Sequence, residues 1–234
     1  MGKNRPFKLH YETITPLLKK VLNDIMENPI FTPFYLVGGT SLSLRLGHRK
    51  SLDIDLFTNV TYGSLDFTAF EKFFQEKYEY YYCADKTNIV SFGRSYYIGD
   101  SEDDNIKVDL FYHDEIIDPC DNIDCIRIAS LSDVIAMKVD VISRIGRKKD
   151  FWDLHELLKT YSISEMLKLH EQRYKYTHDR NQIIANFTDF SSADNDIDPI
   201  CLKGKEWELI KLDFVEMIFT DAHVSYLTKK KPLI

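Results

Sequence analysis

The six residues Leu52-Asp53-Ile54-Asp55-Leu56-Phe57 constrain this chain more than any other stretch. Apolar and acidic side chains alternate with period two, which predicts a β-strand with one buried and one polar face, both aspartates on the same side. Two carboxylates held together repel unless a cation neutralises them. Just upstream, the apolar run from Phe34 to Val37 stops at Gly38-Gly39-Thr40-Ser41, and Leu42 to Leu46 follow before a stop at Gly47. That order reads as strand, tight turn and short helix. Unpaired N–H groups at such a helix start can hold an anion. Downstream, Ile106-Lys107-Val108-Asp109-Leu110-Phe111 supplies a third aspartate on another strand.

Around this nucleus the chain divides into two parts. Ile14, Leu17, Leu18, Val21, Leu22 and Ile25 form a 3.6-residue stripe behind Thr15 and Pro16, the N-cap and first residue of a helix. Phe67, Phe70, Phe73 and Phe74 mark a second helix, capped at Ser64 or Asp66. Tyr80 to Cys83, Ile89 to Phe92, Tyr96 to Ile98 and Ile106 to Tyr112 read as strands, with Asp100 to Asp104 as an acidic loop before the last. From Leu131 the pattern becomes helical: Leu131 to Ile145, Asp150 to Leu158, a Ser162-x-x-Glu165 capping box, Asn181 to Phe190 and Trp207 to Ile218. The expected fold class is α+β, a mixed sheet flanked by helices over residues 1–128, followed by a helical domain over 129–234.

The aspartate pattern points to a metal. Ligation by carboxylate oxygens alone favours Mg²⁺ or Mn²⁺ over zinc, and Mg²⁺ keeps coordination positions for substrate phosphates. The alternative is that Asp-x-Asp is simply the solvent face of a strand. The four cysteines, Cys83, Cys120, Cys125 and Cys201, contain no Cys-x-x-Cys pair, and they read as reduced, mostly buried thiols. His113, His155, His170 and His178 have no metal spacing with one another, and they read as structural or surface residues.

Charge qualifies the picture. The 234 residues carry 37 acidic and 30 basic side chains, a formal charge of −7. That argues against binding nucleic acid through the whole surface. The basic residues nevertheless cluster beside the motifs: Arg45, His48, Arg49 and Lys50 before the Asp-x-Asp strand, and Arg144, Arg147, Lys148 and Lys149 before Asp150. They are candidate contacts for phosphates of a nucleotide or of an RNA acceptor. No window approaches the ~18 apolar residues of a membrane span, and the N-terminus lacks the apolar stretch of a secretory signal, so a cytoplasmic protein with no membrane partner is expected.

In the order Gly-Gly, Asp-x-Asp, Asp, the chain resembles the nucleotidyltransferase superfamily. The stretch from Leu36 to Phe57, LVGGTSLSLRLGHRKSLDIDLF, is similar to the signature of the AbiEii/AbiGii toxin family of bacterial toxin–antitoxin systems. Lys138 and the segment Lys148-Lys149-Asp150-Phe151-Trp152-Asp153-Leu154 extend the resemblance, which covers residues 34–158. It implies a two-lobed enzyme with an NTP substrate and Mg²⁺. For members acting as toxins or in phage defence, it implies transfer of nucleotides to a target such as tRNA, beside a cognate antitoxin. Asp53, Asp55 and Asp109 then become the metal ligands and, with Lys138, the catalytic set. Gly38, Gly39, Thr40, Ser41, Arg49, Lys50 and Asp150 become the nucleotide contacts.

Lys138 stands out without any resemblance. Leu131, Val134, Ile135, Val141, Ile142 and Ile145 form an apolar stripe, and the lysine falls inside it. It either snorkels past the edge of the core or aims its ammonium across the domain interface at a triphosphate. Asp150 is either a first-turn acid favoured by the helix dipole or a group that orients Lys138 or the nucleotide. Two further functions compete: an Asp-x-Asp glycosyltransferase and a non-catalytic relative that binds NTP, RNA or an antitoxin. The first usually needs a longer nucleotide-binding unit before its motif than the ~50 residues available here.

Overall fold

The computed structural model describes residues 8–84, 92–113 and 116–229, the last nine of these by backbone alone. The chain forms two compact units, Met1–Val134 and Ile135–Ile234.

The first unit is built on a seven-stranded mixed sheet in the order β3-β4-β5-β2-β1-β7-β6. The strands are β1 Tyr35–Leu36, β2 Asp53–Thr58, β3 Tyr80–Cys83, β4 Gly93–Gly99, β5 Asn105–Tyr112, β6 Asp121–Ile123 and β7 Ile126–Ile128. β2 runs parallel to β5, and β1 parallel to β7. The other neighbours are antiparallel. The helices are α1 Pro16–Glu27, α2 Gly38–Leu46 and α3 Phe67–Lys77. Thr15 caps α1 by accepting from the Leu18 N–H, and Asp66 caps α3 through the N–H groups of Thr68 and Ala69. Such a cap contributes about 1 kcal/mol.

Alternation along the strands divides the sheet into two faces. Ile54, Leu56, Val108, Leu110, Tyr96 and Ile98 point into a core filled by Leu18, Val21, Leu22 and Ile25 of α1 and by Phe70 and Phe74 of α3. Phe31 stacks on Phe70 at 5.0 Å between ring centroids. The opposite face carries Asp53, Asp55 and Phe57 of β2 and Lys107, Asp109 and Phe111 of β5, all half-buried. The half-buried Arg127 bridges strand and helix by donating to the carbonyls of Met26, Phe31 and Phe34. Three backbone acceptors satisfy its guanidinium.

The second unit contains most of α4 Leu131–Ile145, then α5 Lys148–Leu157, α6 Ile163–Arg173, α7 Arg180–Phe187 and α8 Trp207–Lys229. Ser162 and Glu165 form the reciprocal capping box of α6. Phe151, Phe187, Trp207 and Phe214 build its aromatic core, with Phe151 edge-on to Phe214 at 5.6 Å. No helix among the described residues is long and apolar enough to cross a membrane.

Three expectations change. Of the Ile89 to Phe92 strand, residues 89–91 lie outside the described residues, and Phe92 is a bend leading into β4. The β6–β7 hairpin was not anticipated, because its two-residue turn is Asp124-Cys125, both at positive φ (50° and 64°), instead of the Asn-Gly that marks such turns. The cysteines are not buried: Cys83, Cys120 and Cys201 are partly exposed and Cys125 is exposed, and none is in a disulfide.

Candidate functional site

The sequence places a glycine pair at the end of β1, and the structure shows why both are needed. Helix α2 begins at Gly38 itself, with Val37 as N-cap, so the pair is the first turn of the helix and not a turn preceding it. Gly38 has φ +67°, and a Cβ there would collide with Asp55 Oδ2. A Cβ on Gly39 would lie 2.5 Å from Arg49 Nη2. The helix start is thereby pressed against a carboxylate on one side and a buried guanidinium on the other. The Val37 N–H donates to the Asp55 carbonyl at 2.9 Å and ties α2 to β2.

Asp55 faces Asp109 directly across the parallel β2–β5 pair, and Asp53 faces Lys107. Neighbouring strands are roughly 4.8 Å apart, so the three carboxylates form one patch. Lys107 donates to Asp109 Oδ2 at 2.6 Å. Burial alone would lower the lysine's pKa, but the hydrogen bond to Asp109 and the charges of Asp109, Asp55 and Asp53 outweigh it and raise the value. The second Asp109 oxygen, Oδ1, is buried with no hydrogen-bond partner among the described residues. A hard, oxygen-seeking cation fits such a donor set. As the side chains stand, with Lys107 engaging Asp109, no group of three or more His, Cys, Asp or Glu among the described residues is arranged to hold a metal ion.

The remaining assigned residues take different parts. The Thr40 hydroxyl bonds Ser51 Oγ at 2.8 Å and the Asp53 carbonyl, and Ser41 Oγ donates to the Gly38 carbonyl at 3.1 Å. Both side chains therefore anchor the helix start, leaving backbone N–H groups as its means of holding an anion. The Lys50 ammonium is taken by the Glu12 carbonyl, and Arg45 by Asp121 and the Ala129 carbonyl. Arg49, 3% exposed, stays beside α2 and donates to the Lys50 carbonyl. In the second unit Arg144 pairs with Asp140 and Lys148 with Asp198. Much of the basic rim is thus engaged within the protein.

Lys138 is buried on α4, its ammonium 2.7 Å from both Asp150 Oδ1 and Asp153 Oδ2 on α5. Asp150 Oδ2 also accepts from the Arg147 backbone and guanidinium. Burial pushes the Asp150 carboxyl up, but Lys138 and Arg147 outweigh it and hold it below the usual carboxylate range. Asp150 and Asp153, one helical turn apart, present both carboxylates to one ammonium. Nearby, Glu156 is ringed by Lys159, Lys203 and Lys205. Sequence reasoning missed Lys107, which period-two spacing from Asp109 would have found. The one-turn spacing of Asp153 from Asp150 is legible in the sequence, and the structure shows that both carboxylates share the Lys138 ammonium. The histidines are structural: His155 bonds Asp213, His170 packs on His178, and His113 stacks on Phe57.

Residues 20–223 match the family described as nucleotidyl transferase AbiEii toxin, type IV TA system. An uncharacterized protein of Aquifex aeolicus (strain VF5) is 29% identical over 190 residues, covering 76% of this chain and 84% of that protein. The structure of JHP933 from Helicobacter pylori superposes with a TM-score of 0.55 at 18% identity, covering 91% of this chain and 96% of that one. The nucleotidyltransferase toxin MenT4 of Mycobacterium tuberculosis H37Rv gives 0.53 at 13% identity, covering 86% and 83%.

Proposed function

Because the chain belongs to the AbiEii nucleotidyltransferase toxin family of type IV toxin–antitoxin systems, we propose that it transfers a nucleoside monophosphate from an NTP to an acceptor hydroxyl, with tRNA or another RNA as acceptor. The observation that carries this reading is the close approach of Gly38 to the Asp55 carboxylate, which leaves no room for a Cβ, one strand away from Asp109. A site for phosphate and a site for a cation then adjoin.

Asp53, Asp55 and Asp109 would hold Mg²⁺ or Mn²⁺, and the ion would stabilise the transferring phosphoryl group and make the acceptor hydroxyl more acidic. The first N–H groups of α2, from Gly38 to Thr40, receive phosphate oxygens, and Arg49 offsets their charge. Ser41 and Lys50 act indirectly, by fixing the helix start and the segment before β2. Within the second unit, Asp150 and Asp153 fix the Lys138 ammonium. The setting is a cytoplasmic toxin–antitoxin or phage-defence system with a cognate antitoxin.

The test is incubation with each labelled NTP, Mg²⁺ and total cellular RNA. The expected result is label on RNA with release of pyrophosphate; release of a nucleoside diphosphate would indicate glycosyl transfer instead. Asp53→Ala and Asp55→Ala should abolish labelling while thermal stability holds. Full transfer by either variant overturns the assignment of the carboxylates.

A further inference from the structure

Lys107 lies on the acidic face with a charge opposite to that of its neighbours Asp109 on β5 and Asp53 on β2. Its place is fixed by register: Asp109 lies two residues on along β5, and Asp53 is its partner across the parallel pair. Its ammonium stands 2.6 Å from Asp109 Oδ2, with the lysine side chain one-third exposed and the aspartate 15% exposed. The other oxygen of the same carboxylate is buried and has no hydrogen-bond partner among the described residues. A carboxylate gripped at one oxygen by an ammonium cannot offer both oxygens to a metal.

We infer that Lys107 is a built-in stand-in for the divalent cation, a positioning residue that holds the carboxylates together in the metal-free protein and must be evicted when the metal binds. This inference rests on the reading of Asp53, Asp55 and Asp109 as a metal centre. Three points on the strands support it. Without a counter-charge the facing carboxylates of Asp55 and Asp109 would repel across a single strand spacing. Lys107 is the charge that the strand itself delivers to them, because period two puts residues 107 and 109 on the same side. Lysine suits the task, since its long flexible stem and compact point charge can withdraw without backbone movement.

The arrangement makes the site discriminate between forms of the same ion. A bare divalent ion must displace a resident cation and leaves that cation without an anion. An ion arriving on a triphosphate brings anionic oxygens that can receive the ammonium as it leaves. Bare metal therefore binds weakly and nucleotide-borne metal binds well.

The experiment is calorimetric titration with Mn²⁺ alone, without nucleotide, of the full-length protein and of Lys107→Met, Lys107→Arg and Asp55→Asn. The Lys107→Met variant should bind Mn²⁺ on the order of tenfold more tightly than the parent, as expected for removal of a nearby like charge. Its metal-free melting temperature should be lower, with the deficit closed by saturating Mn²⁺. The charge-retaining Lys107→Arg variant should keep the parent's affinity. Mn²⁺ affinity in Lys107→Met equal to or below the parent's, with binding still lost in Asp55→Asn, overturns the inference and leaves the metal centre standing. Unchanged Mn²⁺ binding in Asp55→Asn overturns the metal centre itself, and the inference with it.

Discussion

Each unit of the protein brings a lysine up to a set of aspartates, and the two sets are built in opposite ways. On the sheet, Lys107 holds one oxygen of Asp109, the other has no hydrogen-bond partner among the described residues, and the lysine is itself one-third exposed. Among the helices, Lys138 sits at 2.7 Å from Asp150 and from Asp153, both wholly buried, and Arg147 takes up the second oxygen of Asp150. One cluster is half open and incompletely satisfied; the other is closed and densely bonded. An incompletely satisfied carboxylate near the surface is free to exchange its cation, whereas a sealed network of charges fails if any member is removed. The sheet cluster is accordingly where exchange with solvent ions is expected, and the helical cluster is where charge and fold are tied together.

The contrast can be broken most sharply at Asp55. Asp55→Ala should lower nucleotidyl transfer by roughly 10³-fold with little change in melting temperature; a large fall in stability would show that the sheet cluster, too, holds the fold. Asp153→Ala tests the other side. Removing one of the two carboxylates that hold a buried ammonium should cost about 3–5 kcal/mol in chemical denaturation, and a loss under 1 kcal/mol would mean that the helical cluster is not sealed.

Gly38→Ala lies between the two, since it strains a backbone at φ +67° and pushes on the Asp55 carboxylate. Denaturation should register about 1–2 kcal/mol, and the labelling assay a larger deficit than that destabilisation explains. The smallest effect is expected at Glu156. Burial raises its carboxyl pKa, but its lysine neighbours outweigh this and bring it down to about 2, from an ordinary value of 4.5. A depressed carboxyl stabilises above its unfolded pKa and ceases to do so as pH falls through its folded one. The melting-temperature gap between parent and Glu156→Gln should therefore be full at pH 7 and shrink between pH 4.5 and 2. A gap independent of pH would remove Glu156 from the charge network.

Much of this could be read from the chain because the signals are local. The α1 stripe with Thr15 and Pro16, the alternation in β2 and the Ser162–Glu165 box each determine structure within a few residues. The Asp-x-Asp strand gave the shared face of Asp53 and Asp55 directly. What was not legible depended on partners distant in sequence or on unusual turns. The pairing of Asp55 with Asp109 is a matter of register between strands, which periodicity leaves undetermined. The inward hydroxyl of Thr40 depends on where Ser51 and the Asp53 carbonyl come to lie. The Asp124-Cys125 turn escaped notice because neither residue is the glycine that positive φ usually selects. Arg45 and Lys50 looked like free cations in sequence, and only the folded chain supplies Asp121 and the Glu12 carbonyl.

The parallel pairing of β2 with β5 has a consequence in time. Parallel strands cannot be joined by a tight turn, and here α3, β3 and β4 are all made between the two. During synthesis Asp53 and Asp55 leave the ribosome well before Asp109, and the carboxylate patch does not exist until β5 has emerged and docked between β2 and β4. Non-local pairing of this kind is among the slower steps of folding. A nascent chain of this protein thus passes through a long interval in which α1 and the glycine pair are already made while the acidic centre is still incomplete. For a protein whose family is defined by toxicity, its own topology postpones the assembly of its carboxylate patch until β5, the fifth of the sheet's seven strands, has been made.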